Sequence, residues 1–356
     1  MNPFFSIIIP CCDVEPYVRE CLDSVIKQPF ADWECLVGVE TSKDRTEEIV
    51  REYAAQDARI KVFTGPRSGS CSASRNTGTD MAAGEYVIFL DGDDTIAEGS
   101  LQRIHDKIAA RPGADLYPCA IVVHNELTGR NDEIRDNYPE DFYDELDGVA
   151  ATLMLERIWE KSFPCPMLQL TVFRRQFLVE KDLKCIYGLR HQDSEFSPRA
   201  LYLAKRVIPI HEPFYLYRIR ENSVQTVAKA PGHFHKDLAI RLKSLMAFHM
   251  AASKAPDFDR RISKAWARRW TSSLFNMWFS SRSMKSIPEA RRIETLEILF
   301  ADGFGDLGVL LKHASLPRRI AGRWVRTFMR HPSCRGVVAF LFRAIYFPIL
   351  NRLCGG

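Results

Sequence analysis

The sequence predicts an α/β fold: a mostly parallel sheet flanked by helices, followed by a C-terminal helical extension. Three features point there. Apolar runs and amphipathic stretches alternate four times between residues 4 and 90, the pattern of parallel strands joined by right-handed crossovers. The runs are apolar throughout, as strands covered on both faces are. Polar loops follow each run, at the carboxyl edge where such sheets bind ligands.

Residues 4–9 form the first run, rich in Phe and Ile and closed by Pro10. A helix is expected over 15–27, with Val18, Leu22, Val25 and Ile26 on one face. Residues 33–39 give the second strand. Thr41, Ser42 and Asp44 then offer caps for a helix carrying Ile49, Val50 and Tyr53. Residues 60–63 make a short third strand. A loop with Gly65, Pro66, Ser68, Gly69 and Ser70 leads to a helix over 73–82 and a fourth strand over 86–90.

That strand runs straight into Asp91, Gly92, Asp93 and Asp94. Carboxylates crowded at the end of a buried strand repel one another and lose hydration. A divalent cation removes that cost. Oxygen-only donors suit Mg²⁺ or Mn²⁺, which join one or two carboxylates to substrate phosphates. Gly92 lets the backbone approach a ligand. A solvated acidic turn is the competing reading of these four residues alone.

Residues 114–123 read as another strand, 125–147 as an acid-rich surface excursion, and 163–167 as a Pro-rich loop before a strand over 168–173. His191, Gln192 and Asp193 precede an apolar helix with Ala200, Leu201 and Leu203. Strand-like runs at 207–210 and 213–220 close on Arg218 and Arg220, whose spacing puts both on one side of a strand. From 233 to 311 the period is helical. Leu238, Leu242, Leu245 and Met246 form one stripe; Ala265, Trp266, Trp270, Leu274, Met277 and Trp278 form another. Both read as core.

The chain has 356 residues, 46% hydrophobic and 26% charged, an ordinary globular balance. Its net charge of +4 is uneven. Nine basic residues lie from Lys312 onward and no acid follows Asp306, which leaves the preceding residues at −5. A basic tail seeks an anionic surface. Arg319, Arg323, Arg326 and Arg330 recur at helical spacing beside Ile320, Trp324 and Phe328. The apolar run 337–350, broken by Arg343 and Pro348, is shorter than the roughly 20 residues a spanning helix needs. The tail fits a membrane interface over 318–353, with packing on the protein's own body as the alternative. Few Lys clusters and many Phe, Leu and Ile argue against nucleic acid. The ten cysteines show no zinc spacing, and several, such as Cys35 and Cys119, fall in apolar runs, as reduced thiols do. No basic n-region opens the chain. The expected location is therefore cytoplasmic, peripheral on the inner face of the plasma membrane.

Taken in order, Pro10 and Asp13, then Glu40, Ser42, Asp44 and Thr46, then Arg75, Asn76, Thr77 and Gly78, then the 91–94 turn resemble the nucleotide-binding half of family 2 glycosyltransferases. The likeness is close over 4–125 and looser to 226. It implies a Rossmann-like GT-A fold and inverting transfer from a nucleotide-diphosphate sugar, with a UDP-sugar as the expected donor. The acceptor implied is a hydroxyl of a glycan or lipid-linked molecule, in bacterial surface polysaccharide synthesis. Carried over, Asp91 faces the ribose, Asp93 ligates Mg²⁺ or Mn²⁺, and Asp94 lies nearby. Pro10 and Asp13 line the base pocket, although Asp13 reads equally as a helix N-cap. Glu40 meets the base or ribose, and Arg75 lies near the nucleotide. Asp193 is the catalytic base. Arg218 and Arg220 neutralise a diphosphate of donor or acceptor. Arg67 and Ser68 are expected in a solvated loop. Two residues depart from the family: Glu40 replaces an aspartate, and Gln192 replaces a glutamate. The implied domains are 1–226, with a nucleotide-sugar half (1–125) and an acceptor half (126–226), a helical region (227–311) and the basic tail (312–356). Two rivals stand. A nucleotidyltransferase needs a Gly-rich basic loop after the first strand, where Cys11 and Cys12 stand instead. A non-catalytic membrane-bound module on the same fold is left open by Glu40 and Gln192.

Overall fold

Strand β1 (Phe5–Cys11) is buried along its whole length, and everything near the site is built outward from it. The computed structural model describes residues 2–128, 130–135, 145–161, 168–220, 234–279, 289–299, 323 and 327. Helix α1 (Glu15–Ile26) leads to β2 (Trp33–Glu40), α2 (Thr46–Gln56) to β3 (Ile60–Gly65), and α3 (Ser72–Met81) to β4 (Tyr86–Phe89). These strands lie in the order β3-β2-β1-β4, all parallel. Alternation along β1 sends Ile7 and Ile9 to one face and Ile8 to the other. The first face packs on α1 and α2 through Val18, Leu22, Val25, Ile49 and Val50. Each such side chain contributes about 1.5–3 kcal/mol on full burial.

The other face meets α3. A Cβ on Gly78 would lie 2.5 Å from Ile8 Cγ2, so only glycine lets this helix approach the sheet so closely.

Beyond β4 the sheet becomes mixed. After β5 (Thr95–Ile96) and α4 (Ser100–Ala110) comes β6 (Leu116–Asn125), with β7 (Arg130–Arg135) antiparallel on its edge. Helix α5 (Gly148–Lys161) follows. The expected strand over 168–173 is a 3₁₀ turn (Leu168–Leu170) and then a short strand, β8 (Thr171–Arg174). β8 wedges antiparallel between β4 and β6. After α6 (Arg175–Glu180) and α7 (Asp193–Leu203), the chain returns as β9 (Ile210–Ile219), parallel to β6 and antiparallel to β5. The first four strands are parallel as expected, and β6 and β9 form a further parallel pair within the mixed part. Helices α5, α6 and α7 cover the Ile8 face through Leu155, Phe177 and Phe196.

The chain divides into two units, Met1–Val227 and Ala228–Gly356. The second contains α8 (Phe234–Ala252), α9 (Arg260–Phe279) and α10 (Glu289–Leu299). Leu242, Leu245, Met246, Trp266 and Trp270 are buried there, and buried His249 shares a 2.8 Å hydrogen bond with Ser263. The expected core stripes account for these residues, except that the side chains of Leu274, Met277 and Trp278 lie outside the described ones. So do the loop 163–167 and all of the tail but Arg323 and Thr327. No helix among the described residues is long and apolar enough to cross a membrane.

Candidate active site

A cavity of about 330 Å³ opens at the carboxyl ends of β1, β2 and β4. Pro10, Glu40, Arg75, Asp91, Asp93, Asp94, Asp193, Arg218 and Arg220 all line it. Asp13 does not, and joins the rim through an ion pair with Arg67, which does.

The floor is the end of β1. Pro10 lies beyond Ile8, the last residue paired with β4, so its missing N–H is not needed there. The next turn is fixed by neighbours rather than by its own caps. Asp13 N–H donates to Ser42 Oγ, Val14 N–H to Thr46 Oγ1 and Glu15 N–H to Asp44 Oδ2. In return Arg45 N–H donates to Glu15 Oε2 and Lys43 N–H to Asp13 Oδ1. Asp13 is therefore not the N-cap of α1; that position is Val14. Asp13 adopts φ +52°, a left-handed conformation that aspartate tolerates. Its carboxyl is held below the usual range, first by the Lys43 N–H and then by Arg67.

The loop before α3 is exposed at Arg67, as expected, but tied down at Ser68. Buried Glu40 accepts from Ser68 N–H at 2.9 Å and from Ser68 Oγ at 2.6 Å. Cys11 and Cys71 lie in the same wall. Burial raises both thiols, Cys71 to about 12, so neither is a thiolate nucleophile at neutral pH.

The acidic turn is the densest part. A Cβ on Gly92 would stand 2.8 Å from Cys11 Sγ and 3.2 Å from the Pro10 carbonyl oxygen. The close approach that requires glycine is thus to β1 itself, not only to a ligand. Gly92→Ala is expected to cost about 1–3 kcal/mol in urea unfolding; an unchanged midpoint would mean that the turn yields freely.

The three carboxylates have different partners. Asp91 pairs with buried Arg75 and accepts from Gln169 Nε2 at 2.6 Å. Burial, the largest single influence, works against the Arg75 charge, but Asp91 together with Cys71, Cys185 and Tyr215 keeps that pKa high. Arg75 is thus a helix-borne arginine paired with a neighbouring acid, and it still lines the cavity. Asp94 is 3% exposed and turns away toward β9. It accepts from Tyr215 Oη at 2.5 Å and from Arg218 N–H at 2.8 Å. Burial, then Asp93 and Asp91, push its carboxyl well above the usual range. Asp93 receives Arg220 on a single oxygen, Oδ2, from Nη2 at 2.7 Å and Nε at 3.1 Å. Burial and Asp91 raise Asp93, and Arg220 pulls it back.

Arg218 and Arg220 lie on one side, with guanidinium carbons 5.3 and 4.6 Å from the Tyr17 ring centroid. Arg218 is committed elsewhere. It donates to the Asp93 carbonyl at 3.1 Å, to Glu20 at 2.5 Å and to Glu126.

Asp193, which also lines the cavity, is the first residue of α7. His191 has φ +48° and reverses the chain just before it. The N–H groups of Glu195 and Phe196 donate to the Gln192 carbonyl, so Asp193 is not spent as a cap. Its carboxylate accepts no hydrogen bond among the described residues. The helix is anchored by Glu195, fully buried and gripped by Arg199 at 2.7 and 2.8 Å. Arg199→Met leaves that acid buried without its ion-pair partner. The expected loss is about 3–5 kcal/mol in urea unfolding; a loss below 1 kcal/mol contradicts the anchoring role.

Gln169, Tyr17 and Tyr215 escaped the sequence reading. Tyr215 had a signal, a hydroxyl inside an apolar strand run; the other two had none.

Residues 6–170 match the family described as Glycosyl transferase family 2. The chain carries a family 2 glycosyltransferase domain. A relative named Uncharacterized glycosyltransferase EpsJ, from Bacillus subtilis (strain 168), is 27% identical over 269 residues, 73% of this chain and 74% of that protein. The glycosyltransferase also shares its fold with S. aureus TarS 1-349 in complex with UDP-GlcNAc, at a TM-score of 0.63 and 20% identity, over 93% of this chain and 92% of that one. Mannosyltransferase PcManGT from Pyrobaculum calidifontis, in complex with GDP-Man and Mn²⁺, aligns at a TM-score of 0.50 and 17% identity, over 100% and 89%. The architecture is therefore GT-A, and the enzyme is a transferase.

The acidic turn fits a divalent cation. Asp93 is a carboxylate whose charge burial and Asp91 disfavour, and all its potential donors are oxygens. Among the described residues no three His, Cys, Asp or Glu side chains converge on one point. A cation held by Asp93 would have to draw the rest of its ligands from water and from substrate phosphates.

Proposed function

We propose that this glycosyltransferase is an inverting, metal-dependent enzyme. It moves a sugar from a UDP-sugar to a hydroxyl of a glycan or lipid-linked acceptor of a bacterial surface polysaccharide. The observation that carries the reading is one cavity lined by both Asp93 and Asp193, the latter a carboxylate available to a proton donor. The complex of TarS with UDP-GlcNAc supports a uridine donor, and that of PcManGT with Mn²⁺ supports the metal.

Each residue has a task in this reading. Pro10 and Glu40 bound the base and ribose end, with the Asp13–Arg67 pair at its rim. Arg75 and Gln169 orient Asp91 toward the ribose. Asp94, held by Tyr215, fixes the turn so that Asp93 faces the diphosphate. Asp93 holds Mg²⁺ or Mn²⁺, which neutralises diphosphate charge when bound. Asp193 takes the proton of the acceptor hydroxyl. The acceptor oxygen bonds to the anomeric carbon as that carbon's bond to the diphosphate oxygen breaks, and the electron pair leaves with the diphosphate. Alignment of two bound substrates supplies about 7–11 kcal/mol, and the base about 10²–10⁴-fold. Arg220 is the cationic side chain assigned to the diphosphate, with Arg218 bracing the turn. The tail is assigned to an anionic membrane surface.

A panel of nucleotide sugars with Mn²⁺ tests the reading, the product anomer being scored by proton NMR. The expected result is UDP release from one UDP-sugar and a glycoside of inverted configuration. Retained configuration, or no nucleotide released from any donor, overturns it.

A further inference from the structure

We propose that Asn76 is a positioning residue for Asp193. It holds the loop that delivers the base, while the rest of its helix holds the acidic turn on the donor side. The inference rests on the reading above, in which Asp193 takes the acceptor proton. It goes further by assigning the placement of that carboxylate to side chains of α3.

Helix α3 carries Ser72, Asn76 and Asp80 at every fourth position, which puts them on one face of the helix. The segment before α7 runs along that face in the opposite direction. Lys184 pairs with Asp80. The Cys185 N–H donates to Asn76 Oδ1 at 2.8 Å, and Asn76 Nδ2 donates back to the Cys185 carbonyl at 2.8 Å. The Gly188 N–H donates to Ser72 Oγ at 2.9 Å. Asn76 is the firmest of the three holds, since it closes two bonds on the backbone of one residue. The Lys184–Asp80 pair is at the surface, where ion pairs are worth little.

The same segment is tied to the helix that carries the base. Arg199 of α7 donates to the Lys184 carbonyl at 2.8 Å, and Leu189, just after Gly188, is buried. Asp193 stands five residues beyond Gly188. Its own carboxylate accepts no hydrogen bond among the described residues, so the backbone leading to it sets its place in the cavity.

The rest of α3 ties this arrangement to the donor side. Arg75, the residue before Asn76, pairs with Asp91. Gly78 seats the helix against Ile8 of β1, and Thr77 between them is exposed. One turn of helix thus reaches the acidic turn, the base loop and the sheet through three different residues. Releasing Cys185 leaves the donor contacts of Arg75 in place and frees only the loop that precedes Asp193. A misplacement of about 1 Å is enough to cost about 10²-fold in rate.

A double-mutant cycle on the full chain tests this, using in Mn²⁺ the UDP-sugar that wild type turns over. Wild type, Asn76→Ala, Asp193→Asn and the double variant are compared, with urea unfolding to establish that each folds. Asn76→Ala is expected to lower kcat by about 10²-fold, with KM for the donor unchanged. In the Asp193→Asn background the same change should cost less than about threefold, because no base is left to place. A merely structural role predicts the same loss in both backgrounds. Equal losses, or a kcat for Asn76→Ala within about threefold of wild type, overturn the positioning role even where Asp193→Asn is inactive. A raised KM with kcat unchanged overturns it too. Should Asn76→Ala not fold, Ser72→Ala takes its place in the cycle under the same criteria. Normal turnover by Asp193→Asn, or no transfer by wild type from any UDP-sugar, overturns the functional reading and this inference with it.

Discussion

Asp193→Asn is expected to lower sugar transfer by about 10²–10⁴-fold, the usual worth of a general base, and to leave UDP affinity unchanged. The asparagine amide is nearly isosteric but cannot accept the acceptor's proton. Stability should hold as well, because the Asp193 carboxylate accepts no hydrogen bond among the described residues, and α7 is anchored through Glu195 and Arg199. Loss of kcat with KM for the donor preserved separates a base from a binding residue. Normal turnover by the variant would remove Asp193 from the chemistry.

Asp93→Ala carries the second large effect. A unit charge pair near 4 Å is worth about 4 kcal/mol at an effective dielectric of 20, so losing the carboxylate should weaken metal-dependent UDP binding by roughly a thousandfold. Transfer should fall with it, at any Mn²⁺ concentration that wild type tolerates. Asp94→Ala is a useful contrast. Its carboxyl faces Tyr215 and the Arg218 N–H, so its loss should show first as lowered stability in urea unfolding. If Asp94→Ala abolished metal-dependent binding while Asp93→Ala did not, the roles of the two acids would be exchanged.

The first four strands were legible because parallel strands buried on both faces must be apolar along their whole length. Runs such as Ile7 to Ile9 and Val87 to Phe89 are short, largely β-branched and bounded by turn residues, which favours a strand over a buried helix. The placement of Asp193 at a helix start was legible for a similar reason: polar residues give way there to the apolar face of Ala200 and Leu201. What stayed hidden is whatever depends on distant pairing. β8 pairs antiparallel with both β4 and β6, which no residue of 171–174 announces. Gln169 meets Asp91 across 78 residues of sequence, and Tyr215 meets Asp94 across 121. The 91–94 tetrapeptide identified an acidic turn but not the division of labour within it, because that is set by Arg75, Arg220 and β9. Asp13 was ambiguous for the same reason. Its competing role as a cap had already been taken over by Thr46 and Asp44 from the neighbouring loop.

The central claim is that a cation held by Asp93 couples the nucleotide to this cavity. Calorimetric titration of UDP into the full chain, once in Mn²⁺ and once in EDTA, measures that coupling directly. Binding in Mn²⁺ that is lost in EDTA, and lost in both buffers for Asp93→Ala, is the expected result. Equal affinity in the two buffers, or no UDP binding in either, would contradict the account.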